Sequence, residues 1–341
     1  MTNGLGTTGA LVISLDFELY WGVRDKRALS SCQENLHGTR QVIPAILELF
    51  QKYEIHATWA TVGFLFCESR EELMSTLPGQ LPDYADANLS PYRYLQSGTV
   101  GEREQADPYH YAPSLIRLIS SYPHQFIGSH THSHYYCLEP GQTAQTFAAD
   151  LAACKKVARK KGHSPTSIVF PRNQLQPAYL ALCKKHGFTS YRGNEPAWMY
   201  RAGPGAEDSL FKRALRLADS YVNLSGHHAY DKLFTSREGL VNVPSSRFLR
   251  PYSPKLRWLE ELRHARLRRD LLFAAKHQRL YHLWWHPENF GSYPAENVRF
   301  LERLLAYFAD LRRQYGMQSL SMEEAAAGWN KQKEGRHEAF V

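Results

Sequence analysis

Two histidines four residues apart, in the run Gly128-Ser129-His130-Thr131-His132-Ser133-His134, could grip one metal ion. Neutral imidazole is the commonest protein metal ligand, and its second ring nitrogen is normally fixed by a neighbour. A spacing of four places His130 above His134 on a helical turn with His132 aimed elsewhere, and the nearby hydroxyls suit a helix start. A solvated polar turn would account for the same run, because a short His-rich tract is a compositional signal. Further weight comes from the acidic pair Asp16 and Glu18, the pair Arg172 and Asn173, and His286. Each has a blander role when taken singly. The acids could cap a helix, Arg172 could form an ordinary ion pair, and His286 could be a hydrogen-bonded core residue.

These groups sit at the ends of apolar runs. Leu11-Val12-Ile13-Ser14-Leu15 reads as a buried strand ending at Asp16 and Glu18. Residues 41–53 carry helical periodicity through Val42, Ile43, Ile46, Leu47 and Phe50, and residues 55–63 read as the next strand. Strand, helix and strand at this spacing suggest a parallel βαβ unit. Residues 124–128 lead as a strand into the histidines, residues 167–170 into Arg172 and Asn173, and residues 280–285 into His286. Helices are expected over 112–121, 143–161, 178–186 and 295–315, with Gly187 ending the third in a left-handed turn. Strands that end in polar groups and alternate with helices make a barrel-like α/β fold, its site at the strands' C-terminal rim. One domain over residues 10–326 is expected, interrupted by irregular Pro- and Gly-rich insertions at 77–111 and 195–252. Loops as long as 77–111 often serve as lids. Residues 327–341 read as a frayed, charged tail.

Composition narrows the partners. The 341 residues are 43% hydrophobic and 13% aromatic, enough for a sizeable core, which excludes wholesale disorder. The net charge of +8 favours acidic partners such as phosphates, nucleotide- or lipid-linked sugars, or an anionic membrane surface. Part of that charge lies in residues 255–279, where Arg257, Arg263, Arg266, Arg268 and Arg269 alternate with leucines in the pattern of an amphipathic helix with a solvated basic face. No nucleic-acid-binding motif accompanies it, so no nucleic-acid partner is expected. The five cysteines are odd in number and form no C-x-x-C pair, which fits a reducing compartment. With no secretory signal and no run of apolar residues long enough to span a bilayer, a cytoplasmic location is expected.

The types and order of the strand-end groups resemble those of the polysaccharide deacetylase superfamily, metal-dependent N-deacetylases, from about Leu11 to about Leu320. The strongest element is residues 127–134, similar to the family's second motif, whose outer histidines bind metal. Ser14-Leu15-Asp16-Phe17-Glu18 resembles the first motif, with its two acids separated by one residue instead of adjacent. Phe170-Pro171-Arg172-Asn173 looks like the arginine motif, and Leu283-Trp284-Trp285-His286-Pro287-Glu288 like the closing one. The Trp-Trp-His-Pro form is similar to a sub-group associated with surface-glycan and O-antigen biosynthesis.

The resemblance implies a distorted (β/α) barrel of seven strands and a divalent metal, zinc by default, held by Glu18, His130 and His134. It implies Asp16 as general base, oriented by Arg172, and His286 as the acid that protonates the leaving amine. Asp219 is the candidate for the residue tuning His286. The implied reaction is removal of an N-acetyl group from an acetamido sugar, which in the cytosol would be nucleotide-linked or lipid-linked, with peripheral membrane contact open. Two alternatives stand beside it: a cyclic-amide hydrolase on the same barrel, and a non-catalytic glycan-binding or assembly protein. The oligomeric state has no signature in the sequence.

Overall fold

A computed structural model describes residues 8–201 and 209–338. Its strands are β1 (Ala10–Phe17), β2 (Ala57–Thr61), β3 (Gln125–Ser129), β4 (Ser167–Ile168), β5 (Ser190–Tyr191), β6 (Phe234–Thr235), β7 (Val241–Asn242), β8 (Arg247–Phe248), β9 (Leu280–Trp285) and β10 (Gln318–Leu320). They form one sheet in the order β6-β7-β5-β4-β3-β2-β1-β9-β8, with β10 paired to the first residues of β1. Every pairing is parallel except β6 with β7. This is the expected α/β architecture, a mostly parallel sheet with helices packed on it. Among the described residues the sheet has ten strands, not seven, because short pairings of two or three residues, including the β6–β7 hairpin within the 195–252 insertion, extend it.

Alternation along β1 explains how the sheet positions a site. All eight of its residues are buried, as a parallel strand covered on both faces requires. Leu11, Ile13, Leu15 and Phe17 join the main core with Ile46, Phe50, Trp59 and Trp285. Ser14 and Asp16 belong to the other face, and both are buried. That face turns polar toward the strand's C-terminal end, where Glu18 follows. The helices Gln33–Lys52, Glu260–Lys276 and Pro294–Tyr315 pack on the outside.

Several boundaries differ from the sequence reading. The helix expected at 41–53 begins at Gln33 and carries Pro44 inside it. The 77–111 insertion holds a 3-10 turn at Ala87–Leu89 and the helix Pro91–Gln96, with Tyr92, Leu95, Val100 and Tyr111 buried. Arg40 fastens it by donating to the carbonyls of Pro108 and Tyr111 and pairing with Glu104 at 2.8 Å. The expected tail is helical instead: Met322–Glu338 forms one helix, and residues 339–341 lie outside the described residues. The basic segment is not a fully solvated face. Arg263 and Arg266 are buried, the former stacked 3.8 Å over Phe300 and the latter paired with Asp270. Part of its charge is therefore spent inside the protein. Among the described residues no helix is long and apolar enough to cross a membrane.

Candidate metal centre and active site

The C-terminal ends of β1, β3 and β9 bring Asp16, Glu18, His130, His134 and His286 together. Glu18 Oε2 lies 3.2 Å from His130 Nε2 and 2.9 Å from His134 Nε2, and all three groups are buried. His286 Nε2 stands 3.5 Å from Glu18 Oε1 and 3.8 Å from Asp16 Oδ2.

The histidine run is not the helical turn that its spacing suggested. It is a loop in which Thr131 and His134 take the left-handed conformation, with φ of 63° and 58°. Such backbone is costly for non-glycine residues and persists only where surroundings over-determine it. Here they do. Buried Asp150 accepts hydrogen bonds from the backbone N–H of His132 (2.7 Å) and Ser133 (3.1 Å) and from the Ser133 hydroxyl. On the other side, the N–H groups of Gly63 and Phe64 donate to the carbonyls of Thr131 and His132. Gly63 is required by that approach, since a Cβ on it would lie 2.8 Å from His132 Cα. His132 turns away from the centre and packs edge-on against Phe64. Burial pushes its imidazole down to about 3, so it is neutral.

The donor set fits a divalent cation. Because the Val169 carbonyl can only accept, His130 Nδ1 must be the donor of their 3.0 Å hydrogen bond. That bond fixes the tautomer, and in the neutral ring it turns the lone pair of Nε2 toward the Glu18 carboxylate. Two negative ends at 3.2 Å repel unless a positive charge lies between them. One carboxylate oxygen and two imidazole nitrogens, all within 4.8 Å of one another, are a donor set suited to zinc and leave coordination positions open. Burial alone would raise the Glu18 carboxyl, but the imidazoles of His286, His134 and His130 that face it more than reverse this and hold it well below the ordinary value.

Asp16 is held by Arg192, not by Arg172. Arg192 Nη1 and Nη2 reach Oδ1 and Oδ2 at 2.6 and 2.7 Å, a bidentate pair with both partners buried. Arg192 also donates to Ser14 Oγ and Asn173 Oδ1 and stacks 4.2 Å over Trp284. His282 Nε2 completes the group, 2.8 Å from Ser14 Oγ. Burial raises the Asp16 carboxyl, while Arg192 and then His130 more than reverse this, leaving it below the ordinary value. Arg172 points elsewhere because its backbone is left-handed at φ 54°. Its guanidinium pairs with Asp25 at 2.5 Å and lies 4.3 Å over Tyr136. The signal for Arg192 was an arginine just past the short run Thr189-Ser190-Tyr191, at the end of β5.

Asp219 does not meet His286. It ends a surface helix, paired with Arg247 at 2.9 Å and accepting from Tyr200 and Ser225. His286 Nδ1 is approached instead by the Asn289 amide nitrogen at 3.2 Å. Because that amide donates, the ring proton of neutral His286 belongs on Nε2, facing the carboxylates. Glu288 lies two residues past His286, in the segment that resembles the closing motif. Its Oε1 accepts from the backbone N–H of Glu18 (2.9 Å) and Leu19 (2.5 Å), latching a turn in which Leu19 has φ 46°. Burial and the nearby Glu18 charge push its carboxyl up to about 8.

Comparison with known proteins agrees with this architecture. Residues 35–191 match the family model described as polysaccharide deacetylase. Similar solved structures include a Mycobacterium smegmatis protein described as a polysaccharide deacetylase (15% identity, TM-score 0.60, covering 96% of this chain and 92% of that one). A Pseudomonas aeruginosa PAO1 protein described in the same way has 12% identity and a TM-score of 0.55, covering 94% and 91%. PuuE allantoinase has 12% identity and a TM-score of 0.57, covering 94% and 90%. At these identities the likeness is one of fold. A search of curated proteins finds no match. The polysaccharide deacetylase model thus matches the segment from the first helix to β5, and the chain as a whole shares the fold of these structures.

Proposed function

We propose that this protein hydrolyses the N-acetyl group of an acetamido sugar, using a divalent metal held by Glu18, His130 and His134. The observation that carries this reading is the convergence of two imidazole nitrogens on one Glu18 oxygen, beside a salt-bridged carboxylate and a third imidazole. When bound, such an ion supplies a water of pKa near 7 and polarises the amide carbonyl (values of about this size are typical for zinc). Asp16, kept ionised and aimed by Arg192, accepts the proton of the attacking water. Its oxygens retain free lone pairs even with the guanidinium in place. His286, protonated in that state, donates its Nε2 proton to the amide nitrogen as the C–N bond breaks and returns to the neutral ring, so that acetate and a free amine leave. Being 26% exposed at the side chain, His286 is the member of the group that substrate can reach. The carrier of the sugar is read as a nucleotide or a lipid phosphate, in keeping with the basic charge.

The test is acetate release from acetamido sugars by the metal-loaded protein. Chelation should abolish turnover while circular dichroism stays native, and full activity in the chelated protein would refute the reading. A second reading, opening of a cyclic amide, is favoured by the fold shared with PuuE allantoinase. Product analysis separates the two, since ring opening releases no acetate.

A further inference from the structure

The helix Leu210–Asp219 is amphipathic and sits inside out. At helical spacing its sequence, Leu-Phe-Lys-Arg-Ala-Leu-Arg-Leu-Ala-Asp, gathers Leu210, Phe211, Ala214 and Leu217 on one side. Lys212, Arg213, Arg216 and Asp219 fall on the other. A helix packed on a globular core turns its apolar side inward. Here Asp219 is the only buried residue of the ten, while Leu210 is 80% and Phe211 66% exposed. The orientation is fixed by polar contacts at the protein side. Arg247 holds Asp219, the N–H groups of Leu224 and Ser225 donate to it, and Arg216 donates to the Met199 carbonyl. Trp198, on the short turn that packs against this helix, and Val222 and Leu224, just past its end, are exposed as well.

We propose that this face enters the headgroup region of an anionic lipid bilayer. Basic groups rim it: Arg213, Arg216 and Arg250 line a cleft of about 420 Å³ together with Leu210, Ala214 and Leu217. Within the helix the one acid, Asp219, is buried and paired, while Lys212 and Arg213 remain on its polar side toward solvent, and their complement is anionic. Exposed Leu, Phe and Trp beside Lys and Arg are the composition of helices that lie in a membrane interface. The face also adjoins the candidate site. Phe248 packs against His286, and Arg250, two residues further on, lines the cleft. A protein docked this way would present its site to sugars carried at the membrane surface.

The full chain is tested by co-sedimentation with phosphatidylcholine vesicles with and without phosphatidylglycerol. Wild-type protein should sediment with the mixed vesicles, weakly with phosphatidylcholine alone, and less at high salt. Leu210→Ser combined with Phe211→Ser should weaken binding on the order of tenfold or more. Lys212→Gln combined with Arg213→Gln should weaken it on anionic vesicles alone. The two variant pairs guard against a folding artefact, since native circular dichroism and thermal melting in either pair keep the comparison valid. Absence of wild-type binding, or equal binding by all three proteins, would overturn the proposal. So would wild-type dimerisation that the serine substitutions abolish, because a second copy would then cover the face. The result is independent of the deacetylation reading: vesicle binding does not require turnover, and acetate release from a soluble sugar does not require vesicles.

Discussion

Two His-His-Glu clusters occupy opposite ends of the same sheet, and they differ in everything except ligand type. Glu18, His130 and His134 follow the C-terminal ends of β1 and β3, whereas His56 and His124 precede the N-terminal ends of β2 and β3 beside Glu324. The first cluster is buried, and the second is partly exposed. His130 is oriented through Nδ1, leaving Nε2 for the centre, but His56 spends Nδ1 directly on the Glu324 carboxylate at 2.8 Å. The rings of His56 and His124 stack at 3.9 Å and 3°, so their in-plane lone pairs run side by side without converging. Proximity of suitable residue types is thus shared by both clusters. Outer-shell orientation, burial and the adjacent Asp16 and His286 distinguish the first, and these are what a site requires beyond a group of side chains.

Breaking the comparison at its strongest point gives the largest expected effect. His130→Ala or His134→Ala should lose bound metal by far more than the roughly 10–100-fold that removal of an outer partner costs, and turnover should fall with it. His56→Ala should leave both unchanged. Elemental analysis of dialysed protein with acetate assays checks this, and equal loss in both sets would sink the distinction. Next in size is Asp16→Asn, which should retain metal and lower kcat by about 10²–10⁴-fold. Ligand affinity unchanged with no wild-type turnover to lose would instead indicate a glycan-binding protein.

A third pair of variants sharpens the contrast between the two arginines. Arg192→Lys replaces a buried bidentate pair with a point charge. Breaking such a pair costs about 3–5 kcal/mol, so the variant should melt earlier and turn over more slowly. Arg172→Lys should alter turnover much less, because it contacts Asp25 rather than Asp16. Comparable loss of kcat in both would return Arg172 to the centre. The smallest effect is one of pH. Burial, and secondarily Arg192, pushes His282 down to about 3. Between roughly pH 6.5 and 3 the unfolded chain binds a proton that the native state refuses. Stability should therefore fall as pH drops, by up to about 1.4 kcal/mol per unit from this residue. Denaturation of His282→Gln at several pH values should give a flatter acid limb, and an identical slope would count against it.

How much of this could be read in the sequence depends on how far apart the contacting groups lie. The strand-end acids, the outer histidines and His286 were legible because residue type and a preceding apolar run are local signals. Arg192 was not, because its bond to Asp16 crosses the sheet from β5 to β1, and no local pattern records which arginine reaches that far. Nor was the left-handed backbone at Thr131 and His134, since a spacing of four fits a helical turn equally well. Asp150 reads as one more polar residue of a helix, yet it clamps the histidine loop. Asp219 was placed by its type alone, and tertiary packing assigned it to Arg247. The insertion that contains it also hid the reversed helix, whose periodicity gives amphipathicity but not the direction it faces.

The Glu288 latch has a consequence for how the centre comes into being. Glu18 emerges early in synthesis, but the turn that aims it is fastened by a carboxyl group 270 positions later. A nascent chain can pair β1 with β2 and β2 with β3 and already carry both imidazoles, while the Glu18 turn still lacks its anchor. On the proposed ligand set, metal competence would therefore be acquired last, when the segment after β9 delivers Glu288. A truncation just short of that point should yield a largely built sheet around an unfinished centre.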